Sequence, residues 1–133
     1  MRLFCYGTLQ FPAVMQQVTG YRFDAVPAVL DGFACYTVRR QVYPGIIPQP
    51  GAQTEGRVYT GVGGVHLKRL DRFEGKLYER IRVCVSDNAG NSLQAWTYRI
   101  APRHRRQLST TGWDRKEFAM HHLSQFVGNY RPF

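Results

Sequence analysis

The sequence predicts a mixed α+β fold: a small, largely antiparallel sheet, curled or closed into a barrel, with a few short helices. Three observations carry that expectation. Strand-like segments are short and numerous along the 133 residues, helical patterns are few and short, and the two never alternate as strand, helix, strand in the manner of a parallel sheet. The length suits one compact domain over residues 1–133, since two domains would each have a marginal core. No repeat, low-complexity tract or linker interrupts it.

Residues 2–9 read as a strand ended by Gly7, with Leu3 and Cys5 on one face and Phe4 and Tyr6 on the other. Apolar residues on both faces point to a central strand. Pro12 opens a short helix carrying Val14, Met15 and Val18, which Gly20 closes. Residues 23–30 alternate loosely, and Pro27 makes them an edge strand or one broken by a bulge. Asp31-Gly32 is a tight-turn signal leading into a strand over 33–38. Residues 42–51, with prolines at 44, 48 and 50, read as loop or irregular extended chain, and strand character returns at 56–60. Val65, Leu67, Leu70 and Phe73 fall near one face of a short helix. Residues 78–86 set Arg80 and Arg82 against Ile81, Val83 and Val85, and a polar turn over 87–91 joins them to 93–100 as a hairpin. From Trp113 onward, helical spacing predicts one helix over about 114–127, with Asp114 and Glu117 forming a capping box.

Composition narrows the function classes. A hydrophobic fraction of 44% is too rich for a disordered chain, and no apolar run approaches the roughly 20 residues that cross a bilayer. The N-terminus lacks the pattern of a secretory signal, so the expected compartment is the cytoplasm. Cys5, Cys35 and Cys84 are isolated, in strand-like contexts, and read as buried structural thiols without zinc or redox-dithiol spacing. The net charge of +9 invites a nucleic-acid reading, but only three of the eighteen basic residues are lysines and the arginines are spread through strand-like segments. The one cluster, Arg103 to Arg106, looks like a solvated loop, and no nucleic-acid-binding motif accompanies it. An anionic small substrate explains part of the positive field equally well.

Several residues admit both a chemical and a plain reading. Glu74, between Phe73 and Gly75 and near Tyr78, is either a proton carrier whose apolar surroundings raise its pKa or a solvated helix-end carboxylate paired with Arg72 or Lys76. The turn Tyr6-Gly7-Thr8-Leu9 is either an anion nest of successive N–H groups or a strand-ending turn in which Gly7 supplies positive φ. Tyr43-Pro44-Gly45-Ile46 is a pocket rim or a bend, and Tyr78 a hydroxyl donor or a core aromatic. Arg80 pairs with Glu79 or Glu55, or guides an anion. The histidines at 66, 104, 121 and 122 lack metal-ligand spacing, and neither a Ser-His-Asp signature nor a phosphate-binding loop is present.

Four pieces occur in a specific order: Tyr6-Gly7-Thr8-Leu9 after the first strand, Tyr43-Pro44-Gly45, Gly56 before a strand, then Leu70-Asp71, Phe73-Glu74-Gly75, Tyr78 and Arg80. In that order they resemble the gamma-glutamyl cyclotransferase-like family, in its AIG2-like and gamma-glutamylamine branch. The resemblance spans nearly the first hundred residues. It implies that a γ-glutamyl amine or peptide is cyclised to 5-oxoproline with release of the amine, without metal, nucleotide or other cofactor and without a covalent intermediate. By that likeness Glu74 is the general acid/base. The turn of Tyr6, Gly7, Thr8 and Leu9 holds the substrate carboxylate or the developing oxyanion, and Tyr43, Pro44, Gly45 and Tyr78 complete the substrate site. The implied partner is a small γ-glutamyl molecule rather than a membrane or nucleic acid. The alternative is a non-catalytic basic module on the same fold, binding a small anion or nucleic acid.

Overall fold

The computed structural model describes residues 1–129. Strand β1 (Leu3–Cys5) leads through a 3₁₀ turn (Thr8–Gln10) into helix α1 (Pro12–Thr19). Two long strands, β2 (Ala25–Val38) and β3 (Pro44–Tyr59), are followed by helix α2 (Gly64–Glu74) and the hairpin of β4 (Tyr78–Asp87) and β5 (Ser92–Ile100). A 3₁₀ helix (Pro102–Gln107), β6 (Leu108–Gly112), α3 (Arg115–His121) and α4 (Leu123–Asn129) complete the described chain.

Five strands close on themselves. β2 and β3 pair antiparallel from Ala25 opposite Tyr59 to Thr37 opposite Pro44. The far end of β3 pairs antiparallel with β1, which lies parallel to β5 at Leu3 and Trp96. β5 pairs with β4 over its length, and β4 returns to β2 at Ala28 and Val29. β6 adds a sixth strand to the end of β2. The result is the mixed, mostly antiparallel barrel that the sequence predicts. As expected of a central strand, β1 divides its side chains. Phe4 and Tyr6 join Ala28, Leu30, Ile46, Val58, Val85 and Ala95, drawn from all the barrel strands, whereas Leu3 and Cys5 face a layer of α1, α2 and α3 side chains that includes Val14, Met15, Leu67, Leu70 and Phe118.

The differences from the sequence reading have physical causes. The first strand stops at Cys5, because the chain turns into the 3₁₀ segment. Asp31-Gly32 is a bulge, not a turn: Gly32 takes φ +81° while β2 runs through it as one strand. Pro27 precedes the two residues that β4 pairs, so its missing N–H costs that ladder nothing. Residues 44–51 are strand rather than loop. Val38 N–H donates to Tyr43 O at 3.0 Å, so over the regular register from Pro44 to Pro48 the odd-numbered backbone groups face β2 and the nitrogens of Pro44 and Pro48 point away from it, while Pro50 falls in the register irregularity, where the ladder has no pair. The segment around Arg103–Arg106 is a 3₁₀ helix, and β6, rich in serine and threonine, lies beyond the sequence reading. The expected last helix is two, broken at His122, although Asp114 caps the first by accepting from Lys116 N–H and Glu117 N–H at 2.8 and 3.1 Å. Cys84 is exposed rather than buried. Among the described residues no helix is long and apolar enough to cross a membrane.

Candidate active site

A cavity of about 230 Å³ opens where β1 leaves the barrel. Its floor is Phe4, Cys5 and Tyr6. One side is the turn Gly7, Thr8 and Leu9, and the other is Tyr43, Pro44, Leu77 and Tyr78. The end of α2 supplies Phe73 and Glu74, β5 supplies Tyr98, and α4 supplies Phe126. Of the catalytic and substrate-site residues that the resemblance implies, Gly45 alone lies outside this lining. It packs behind it, against Ile100 and Leu108.

Hydrogen bonds through main-chain acceptors fix the cavity walls. The same parity that turns the nitrogens of Pro44 and Pro48 away from β2 turns the Pro44 carbonyl toward β4, where the Tyr78 hydroxyl donates to it at 2.6 Å. The Tyr6 hydroxyl donates to Tyr98 O at 2.6 Å. Tyr59 reaches across to donate to Leu9 O at 2.8 Å, and the Gln10 amide donates to Tyr6 O at 2.6 Å. The turn itself is closed by Gln10 N–H donating to Gly7 O. The N–H groups of Gly7, Thr8 and Leu9 therefore precede the first turn bond, where a 3₁₀ or α segment leaves its donors unused. Gly7 has φ −113°, so positive φ is not why a glycine stands here. A Cβ at this position would come within 2.9 Å of the Pro44 ring.

Glu74 is the acidic residue in the lining. No hydrogen bond or ion pair among the described residues holds its carboxylate, so the expected alternative of a helix-end pair between Glu74 and Arg72 or Lys76 is not formed among them. Burial, and secondarily the Asp71 carboxylate, raise its pKa to about 8. Burial first and Glu74 second push the Cys5 thiol upward, which keeps that neighbour neutral. The phenols of Tyr6 and Tyr78 move in the same direction, mainly through burial. Arg80 takes neither of its expected partners. It pairs with Asp71, while Glu79 accepts from Arg99 at 2.8 Å. Sequence reasoning passed over Tyr98, which the hairpin register places opposite Arg80. Extending the alternation of that hairpin across the pair would have brought it to notice.

The family model described as gamma-glutamyl cyclotransferase, AIG2-like, matches residues 3–115. The chain belongs to that AIG2-like gamma-glutamyl cyclotransferase family. Within it, the chain is 31% identical to Protein AIG2 C of Arabidopsis thaliana, over 97% of this chain and 78% of that protein. It is 34% identical to AIG2-like protein C of the same plant, over 98% and 76%. Among solved structures, a solution structure of an Arabidopsis thaliana protein superposes with a TM-score of 0.75 at 30% identity, covering 96% of this chain and 77% of that one. A structure named gamma-glutamyl cyclotransferase shares the fold with a TM-score of 0.69 at 16% identity, over 99% and 88%. The AIG2-like barrel thus extends well beyond sequence relatives of this chain.

Proposed function

We propose that the protein cyclises a γ-glutamyl amine or γ-glutamyl peptide to 5-oxoproline and the free amine, with Glu74 carrying the protons. The observation behind this reading is a carboxylate of raised pKa, without a hydrogen-bond or ion-pair partner among the described residues, that lines a small cavity together with a turn whose N–H groups precede its first turn bond. Membership of the AIG2-like gamma-glutamyl cyclotransferase family supports this reaction class.

The chemistry follows from what such a site does to a bound γ-glutamyl group. Empty, the cavity favours neutral Glu74; an incoming α-ammonium brings the counter-charge that favours the carboxylate. Glu74 then takes a proton from that ammonium, and the freed amine attacks the γ-carbonyl carbon to form the five-membered ring. As the bond between the γ-carbon and the leaving nitrogen breaks, Glu74 returns the proton to that nitrogen. Two protons in all pass from the α-nitrogen to the leaving amine, which departs as an ammonium and leaves the lactam with one N–H. A carboxyl group with a pKa near the working pH suits both halves of this exchange. The N–H groups of Gly7, Thr8 and Leu9 suit the substrate carboxylate or the transient oxyanion, a contact worth about 3 kcal/mol in comparable sites. Tyr43, Pro44 and Tyr78 form the opposite wall, and Gly45 lets the Pro44 segment pack on Ile100. Holding the chain folded back on itself adds the proximity contribution.

The test is 5-oxoproline release from a panel of γ-glutamyl amines, γ-glutamyl dipeptides and glutathione. Wild type should release it from at least one class, and Glu74→Gln should lower kcat by at least about 100-fold, the scale of a lost general acid/base. Turnover that survives in the glutamine variant would remove Glu74 from the mechanism.

A further inference from the structure

Asp71 lies outside the cavity lining, yet it is the most heavily held carboxylate near it. Arg80 Nε donates to its Oδ1 at 2.9 Å and Nη2 to its Oδ2 at 3.3 Å, and the Tyr98 hydroxyl donates to Oδ1 at 2.6 Å. The Arg80 guanidinium is itself fixed, its Cζ lying 4.4 Å from the centre of the Trp96 ring. On α2, Asp71 stands three residues before Glu74, which places both on one side of the helix. Tyr98 continues the chain, since its carbonyl accepts from Tyr6, the first residue of the turn. A continuous path therefore runs Arg80, Asp71, Tyr98, Tyr6.

We propose that Asp71 is a positioning residue for the reaction: clamped by Arg80 and Tyr98, it fixes a negative charge one helical turn before Glu74 and anchors the Tyr98 wall to which Tyr6 is bonded. This rests on the reading of Glu74 as the proton carrier. The groups facing Glu74 are Asp71 from its own helix, with Arg80 behind it. Cys5 comes from β1, Tyr6 from the turn, Tyr43 from the segment before β3, Tyr78 from β4 and Tyr98 from β5. Burial holds the thiol and phenols neutral, so the fixed charges among these groups are Asp71 and Arg80. They act on Glu74 in opposite senses. The Asp71 side chain is 42% exposed, so solvent damps its field without reversing the sign.

The opposition of signs separates an electrostatic role from a merely structural one. Asp71→Asn leaves Arg80 unopposed and makes Glu74 more acidic. Arg80→Gln leaves Asp71 unopposed and makes Glu74 less acidic. If the network served only to hold the wall, either substitution would loosen it, admit water and make Glu74 more acidic in both. The experiment is a carbon-detected NMR titration of the Glu74 carboxyl in wild type and both variants, alongside the pH profile of 5-oxoproline release. Expected are a midpoint below about 8 in Asp71→Asn and above it in Arg80→Gln, with the acid limb of kcat/KM moving the same way. A folded Asp71→Asn variant with the wild-type midpoint, or a downward shift in both variants, overturns the proposal. Should Asp71→Asn not fold, Arg80→Gln decides alone, and an unmoved or lowered midpoint overturns it. The titration reads Glu74 with or without turnover. Absence of 5-oxoproline release by wild type therefore counts against the cyclotransferase reading while leaving the electrostatic result intact.

Discussion

Glu74 concentrates the tension between folding and function at a single residue. Its pKa in the folded protein is about 8, against 4.5 for an ordinary glutamate. The folded state therefore holds on to a proton that the unfolded chain has already released. A carboxyl whose pKa is raised on folding contributes stability that is fully present below about pH 4.5 and is lost as pH rises through about 8. Glutamine at this position cannot ionise. Glu74→Gln should thus gain stability relative to wild type between about pH 5 and pH 8 and keep that gain above it, as read by urea unfolding at a series of pH values. A stability difference that stays flat across this range would mean that Glu74 titrates like a solvated carboxyl. The same group sets the pH dependence of the proposed reaction. In the free enzyme Glu74 must be ionised to accept a proton, so kcat/KM should climb with pH and level off above about 8.

At the scale of elements, the cavity exists because the 3₁₀ turn after β1 meets the proline-rich start of β3. The Pro44 ring is stiff and its carbonyl is held by Tyr78, so it cannot yield cheaply to a side chain at position 7. Gly7→Ala should displace the turn instead. The expected result is a fall in kcat/KM of about 100-fold, the usual consequence of a small misplacement of reacting groups, with a loss of stability of about 1–3 kcal/mol from overpacking. An alanine variant with wild-type kcat/KM would sink the role assigned to the turn. These two elements also show what a sequence discloses. The β4–β5 hairpin was legible because Arg80 and Arg82 alternate cleanly with Ile81, Val83 and Val85 before a polar turn. The central position of β1 was legible from Leu3 and Cys5 against Phe4 and Tyr6. The start of β3 was not, because prolines at 44, 48 and 50 signal loop unless the unpaired side of the strand is known. Asp31-Gly32 carries the same signal for a bulge as for a turn. The cavity's ordered motifs could be read from the chain, but the bonding of Asp71 to Arg80 and Tyr98 could not, since it depends on how α2 lies against the hairpin.

For the whole molecule, the weak point of barrel closure is also the place where the cavity forms. β1 and β5 share a single residue pairing, Leu3 with Trp96. Past that pairing, side-chain hydrogen bonds link the two segments. Trp96 N–H still donates to Arg2 O at 2.9 Å, but the next link is the Thr97 hydroxyl donating to Phe4 O at 2.8 Å, and the one after it is Tyr6 donating to Tyr98 O. Thr97 is fully buried, as is Phe4, so neither group has water as a substitute partner. Valine matches the shape of threonine while removing the hydroxyl. Thr97→Val should therefore leave the Phe4 carbonyl unsatisfied inside the barrel and cost about 1–3 kcal/mol. Urea unfolding should show a lower midpoint with an unchanged m-value, because the surface buried on folding stays the same. Amide exchange should speed up at Phe4 and Cys5 more than in the β2–β3 ladder, whose backbone bonds do not pass through this seam. A variant as stable as wild type would mean that the two strands hold together without the hydroxyl, and that packing of Phe4 and Tyr6 alone closes the barrel.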